Sequence, residues 1–110
     1  MNLLSLICSL TMLLAPAIAD QEPDLRAPSY SGKLGLYQGQ DFSGREHLVD
    51  REGTNVQAGG IIRSISVHPG ERWEVCRQPR FQGECAILDR SVPDASLIDA
   101  ELQVRSARPL

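Results

Sequence analysis

The distribution of apolar and polar positions changes character twice along the chain. From Leu3 to Ala15 apolar residues run almost unbroken, from Asp20 to Gly32 they nearly vanish, and from Lys33 onward they alternate with polar ones in short bursts. That alternation has the two-residue period of half-buried strands, and no segment keeps a helical period beyond one turn. The spacing predicts strands over 33–37 (Leu34 and Leu36 on one face), 46–49 (Leu48) and 61–68 (Ile61, Ile65 and Val67, interrupted by Arg63). After the Pro69-Gly70 turn the series restarts at 72–76 (Trp73, Val75), 85–88 (Ile87) and 102–108 (Val104). The expected core is therefore Leu34, Leu36, Leu48, Ile65, Val67, Trp73, Val75, Ile87 and Val104. The stretches 51–60 and 91–101 are irregular, each counted as hiding one short strand, and Asp94 is placed to cap a helical turn within 94–100.

The restart is a repeat. Tyr37-Gln38-Gly39-Gln40-Asp41-Phe42-Ser43-Gly44 returns 39 residues later as Cys76-Arg77-Gln78-Pro79-Arg80-Phe81-Gln82-Gly83. Both copies end in aromatic-x-Gly, where a sharp hairpin needs a residue free to take positive φ. Four antiparallel strands with one long return connection form a Greek key. Two keys, 33–71 and 72–110, predict one all-β sandwich of about eight antiparallel strands, because a unit of about 40 residues cannot bury enough surface alone.

The apolar run at the start reads as a signal peptide, residues 1–19, with a small-x-small cleavage site at Ala17-Ile18-Ala19; the alternative is an uncleaved helix. It is too short to span a bilayer, so no membrane insertion is expected after its removal. Residues 20–32, with Pro23 and Pro28, are expected to be a disordered leader or loosely attached arm, with Tyr30 against the domain edge. The protein is expected to be secreted or periplasmic and monomeric, with an extracellular or periplasmic partner that the sequence does not identify.

Fourteen acidic and eleven basic side chains give a net charge of −3, and the arginines are interspersed with carboxylates. A nucleic-acid footprint would be a cluster of one sign, which excludes that partner. Loss of Cys8 with the signal leaves Cys76 and Cys85 flanking the second hairpin, an even number in an oxidising compartment. They are expected to form a disulfide, the alternative being two reduced buried thiols. His47 and His68 lie on different strands with no third ligand at metal-like spacing, which argues against zinc. No nucleophile elbow, carboxylate pair or phosphate loop is present, so no catalytic residue is assigned and the chain is read as non-enzymatic.

These residues resemble the βγ-crystallin superfamily, whose Greek keys carry an aromatic-x-x-x-x-aromatic-x-Gly hairpin. Tyr37, Phe42 and Gly44 match it in the first key, and Phe81 and Gly83 in the second, where Cys76 replaces the first aromatic. Trp73-x-x-Cys76-x-x-x-x-Phe81-x-Gly83-x-Cys85 looks like the variant of secreted bacterial members in which a disulfide takes over from the aromatic stack. The resemblance covers 33–110 and implies the sandwich already predicted. It also implies calcium sites of the form Asn/Asp-Asn/Asp-x-x-Ser/Thr-Ser. The matching stretches are Gly59-Gly60-Ile61-Ile62-Arg63-Ser64 and Glu101-Leu102-Gln103-Val104-Arg105-Ser106, in which only Ser64 and Ser106 agree fully. A guanidinium at a hydroxyl position repels a cation, so neither calcium nor any other cofactor is expected. Arg63 or Arg105 is expected to occupy the vacated positions, held by loop carbonyls or by Glu101. The function expected is a small exported structural or binding module. A calcium-binding module is the alternative, and an inhibitor of secreted metalloproteases, which shares this fold, is the second.

Overall fold

The computed structural model describes residues 26–110; the expected signal peptide and residues 20–25 lie outside them. Six strands form two antiparallel three-stranded sheets. In the first, β1 (Lys33–Tyr37) is central between β2 (Glu46–Asp50) and β3 (Ser64–Ser66). The second has the same plan, with β4 (Trp73–Gln78) between β5 (Gln82–Leu88) and β6 (Ser106–Pro109). The third strand is thus much shorter than the expected 61–68.

The fourth element of each key is a single bridged residue on the other key's sheet. Val92 pairs with Ile65 of β3, and Gly53 pairs with Ala107 of β6. Six strands and these two bridges account for the eight strands expected, and the crossing makes the halves interdependent. Leu34, Leu36 and Ile65 from one sheet form one core cluster with Trp73, Val75 and Val104 from the other half.

Two expected core residues are placed on the wrong face. Leu48 is only half-buried and Ile87 is 56% exposed, while their neighbours Val49 and Leu88 are buried. Cross-strand pairing explains the choice: Val49 lies opposite Leu34, and Leu88 opposite Trp73. Opposed residues on antiparallel strands share a face, so the central strands dictate which neighbour turns inward. Val56, Ile62, Ala95 and Leu102 from between the strands, and Ala107 from β6, complete the core.

Asp94 caps a 3-10 turn over Ala95–Leu97, its side chain accepting from Ser96 N, as the sequence predicts. Residues 26–32 are an attached arm. Tyr30 Oη donates to Glu46 Oε2 (3.3 Å), Gly32 N to Glu71 Oε2 (2.7 Å), Ser29 Oγ lies 2.5 Å from His68 Nδ1, and Arg26 pairs with Asp41.

Candidate functional site

The two hairpins are built alike to the level of single bonds. Asp41 and Phe42 have φ of 54° and 60°, Arg80 and Phe81 58° and 62°, and the glycines that follow, Gly44 and Gly83, 76° and 77°. A Cβ on Gly44 would also stand 2.9 Å from Gly39 N. Non-glycine residues in this region are strained, so each hairpin needs a partner to hold it. Ser64 and Ser106 supply it. Ser64 Oγ donates to Gly39 O (2.6 Å) and accepts from Phe42 N (2.9 Å). Ser106 Oγ donates to Gln78 O (2.6 Å) and accepts from Phe81 N (2.9 Å). Both serines are fully buried, and a hydroxyl that donates once and accepts once leaves no stranded polar atom there.

The keys differ in how the hairpin is tied to its strands. In the first, Tyr37 performs two tasks. Its ring meets Phe42 edge-on at 6.0 Å, and its hydroxyl donates to Glu46 Oε2 at 2.7 Å. Tyr37 and Glu46 are directly opposed across β1 and β2. The ring lies over Gly35, where a Cβ would stand 2.8 Å from the Tyr37 oxygen and would also collide with Ser66 Oγ.

In the second key those tasks are divided. Cys76 and Cys85 occupy the positions of Tyr37 and Glu46, are directly opposed across β4 and β5, and are joined as a disulfide. The hairpin aromatic Phe81 is instead covered by the Arg108 guanidinium, 4.3 Å from its centroid, which Glu74 holds through a 2.9 Å bond to Arg108 Nε. Glu74 and Arg108 sit opposite each other, as Gly35 and Ser66 do in the first key. A cation over a partly exposed aromatic face contributes about 0.5–1 kcal/mol.

Burial holds the Tyr37 hydroxyl well above the ordinary tyrosine value; the Ser66 hydrogen bond opposes this, and the hydrogen bond and charge of Glu46 add to it. The unfolded chain ionises near the ordinary value of 10.0, where the folded one does not. The contribution of this group is therefore complete below that pH and is lost as pH rises above it. Stability should fall between about pH 9 and 11, and Tyr37→Phe should flatten the fall while costing about 1 kcal/mol at neutral pH. Urea denaturation of both proteins across that range checks this; parallel profiles would remove Tyr37 as the cause. Tyr30→Phe is the exposed control and should keep most of the slope.

The stretches matched to calcium sites hold a different donor set. Arg63 and Arg105 are exposed, and neither guanidinium bonds to Glu101, to a loop carbonyl or to any other described residue. This corrects the expectation of tethered guanidinium groups. Their backbones are what the fold uses: Arg63 N donates to Tyr37 O and Arg63 O accepts from Ala95 N, while Arg105 N donates to Cys76 O and Arg105 O accepts from Val56 N. Gly59 and Gly60 have φ of 74° and 78° and offer no side-chain ligand. Gly59 O, a carbonyl a cation could use, already accepts from Gln38 Nε2 at 2.6 Å. Calcium wants six to eight oxygen ligands including carboxylates, and these residues do not fit it. Among the described residues a cluster of potential metal ligands occurs at Glu74, Cys76 and Cys85, where the sulfurs are bonded to each other and Glu74 to Arg108.

Sequence reasoning identified both cysteines, the hairpin aromatics, both glycines and both serines, and missed Glu46, Glu74 and Arg108. Glu46 had a signal: extending the 39-residue echo from Tyr37–Cys76 to Glu46 lands on Cys85.

The beta/gamma crystallin family model matches residues 33–110. A structure bearing on the evolution of the eye lens βγ-crystallin domain fold superposes with a TM-score of 0.66 at 19% identity, covering 76% of this chain and 89% of that one. The βγ-crystallin from Ciona intestinalis gives 0.61 at 20% identity, over 72% of this chain and 100% of that one. IPSE/alpha-1 from Schistosoma mansoni eggs gives 0.61 at 14% identity, over 73% and 86%. No curated protein matches the chain. With serine-locked hairpins in both keys, segments exchanged between the two sheets and a family match over residues 33–110, this chain belongs to the beta/gamma crystallin family.

Proposed function

We propose that the protein is a small exported structural or binding module whose stability is independent of calcium. The observation that carries this is the donor set of the two stretches matched to calcium sites, where Gly59, Gly60, Arg63 and Arg105 stand and both guanidinium groups are free of protein partners among the described residues. The rigidity a metal would lend is supplied by covalent and hydrogen-bonded ties, the Cys76–Cys85 bond and the Ser64 and Ser106 locks. Export is supported by the apolar leader with its small-x-small end and by a disulfide suited to an oxidising compartment. The crystallin-type domain carries no assigned catalytic group, and its role is that of a stable body presenting surface to a partner outside the cytoplasm.

Thermal melting in millimolar calcium and in excess chelator tests this reading. A ligand at a hundred times its dissociation constant would add about 2.7 kcal/mol, a shift of roughly 10 °C or more in so small a domain. The two melting temperatures should coincide. A saturable rise with calcium, abolished by chelator, would overturn the reading.

A further inference from the structure

The two keys place equivalent loops against equivalent strand residues, and the two loops end up in different states. In the first, Gly53 pairs with Ala107 and Val56 N donates to Arg105 O at 2.7 Å. In the second, Val92 pairs with Ile65 and Ala95 N donates to Arg63 O at 2.7 Å. Beyond these anchors the second loop satisfies itself. Ser96 N donates to Asp94 Oδ1, Leu97 N to Asp94 O, Ile98 N and Asp99 N to Ala95 O, and Glu101 N to Asp99 Oδ1.

The first loop does none of this. The N–H groups of Gln57, Ala58, Gly59, Gly60 and Ile61 donate to no described residue. Beside them opens a groove of about 280 Å³, lined from one side by Gln57, Gly59 and Gly60 and from the other by Gln103 and Arg105. No carboxylate lines it. Arg105 is exposed and its guanidinium has no partner among the described residues. Two groove carbonyls are already engaged, Gly59 O by Gln38 Nε2 and Arg105 O by Val56 N. The surroundings are thus rich in donors and positive, on a chain whose net charge is −3.

We propose that this groove binds a small oxyanion, the carboxylate, sulfate or phosphate group of an acidic ligand. Arg105 supplies the charge and a planar fork of donors matched to two oxygens of such a group. The amide groups of Gln57 and Gln103 and the loop N–H groups that have no partner among the described residues supply further donors. Consecutive residues with positive φ at Gly59 and Gly60 bring main chain to the groove without side chains in the way. The volume suits a group of this size with a few waters, and not a large apolar ligand. The proposal rests on the calcium-independent reading above, since a cation held between these residues would oppose Arg105.

Nitrogen–proton correlation spectra of the oxidised mature protein, recorded while sodium sulfate, phosphate or acetate is added at constant ionic strength, test it. Saturable shifts confined to residues 57–61 and 103–105 are expected, and the order of the three affinities identifies which group is preferred. Arg105→Gln should weaken binding by about tenfold, and Arg105→Lys, which keeps the charge but loses the fork, by less. Arg63→Gln, at the self-satisfied loop, should bind as the parent does. Shifts that never saturate, or a response that Arg105→Gln and Arg63→Gln reduce equally, would overturn the proposal. A separate calcium titration keeps the two readings distinct, because calcium-specific shifts would remove the proposed function, whereas anion-silent spectra without a calcium response would remove only this site.

Discussion

Trp73→Ala should cost about 3–5 kcal/mol, the largest loss of any single side chain in the domain. Trp73 has no solvent-accessible surface and opens the central strand of the second sheet. It belongs to the one core cluster that contains residues of both halves, so its removal leaves a cavity at the contact on which both sheets depend. Its Nε1–H also donates to Glu71 Oε1 at 3.3 Å, and alanine leaves that carboxylate one partner fewer. Small domains have total stabilities of about 5–15 kcal/mol, so the variant should be unfolded or marginal at ambient temperature. Urea denaturation followed by circular dichroism measures the loss, since the only tryptophan is gone. Leu97→Ala is the contrast: Leu97 is 83% exposed, and its loss should stay within about 0.5 kcal/mol. A Trp73→Ala variant within 1 kcal/mol of the parent, a limit of about one buried methylene, would show that the halves do not share this core.

Where the sequence pattern was unambiguous, the structure follows it. Leu34 and Leu36 alternate with Gly35 and Tyr37, so only one phase buries both leucines, and both are buried. In β2 and β5 the apolar residues come in adjacent pairs, Leu48-Val49 and Ile87-Leu88, and a period of two fits either member. The choice is made by pairing with β1 and β4, information that lies on another strand, and a shift of one residue exchanges the faces. Val56 and Ala95 occupy stretches with no period to read, while Ile62 falls out of phase with Ile61, Ile65 and Val67, and Leu102 lies ahead of the strand that forms. The burial of Ile62 and Leu102 follows from a bond between the halves, Ile62 N to Leu102 O. The hairpins, by contrast, were readable because glycine after an aromatic is a local requirement repeated at the same distance. Arg108 over Phe81 was not, because that contact joins the last strand to a hairpin formed much earlier in the chain.

Removing the disulfide by Cys76→Ser with Cys85→Ser should cost about 2.5 to 3 kcal/mol, the chain entropy of closing so short a loop, and lower the melting temperature by roughly 10 to 20 °C. The deeper test is transplantation. Tyr37 and Glu46 face each other across β1 and β2 as Cys76 and Cys85 do across β4 and β5, and each pair is nine residues apart. Tyr37→Cys with Glu46→Cys, built in the background lacking the native cysteines, should therefore oxidise spontaneously. Its oxidised form should exceed its reduced form in stability by a similar margin. It should not recover the full parent stability, because the contact between Tyr37 and Phe42 is lost with the tyrosine. The reverse exchange, Cys76→Tyr with Cys85→Glu, should fail alone. A tyrosine at that place lies over the residue two before it, which is Gly35 in the first key and Glu74 in the second. Adding Glu74→Gly opens the space and should restore part of the stability, at the expense of the carboxylate that holds Arg108. Mass measurement before and after alkylation reports whether the transplanted bond forms. If both new thiols alkylate in the folded, oxidised protein, Tyr37–Glu46 and Cys76–Cys85 are not equivalent ties, and the two keys have diverged in strand geometry as well as in chemistry.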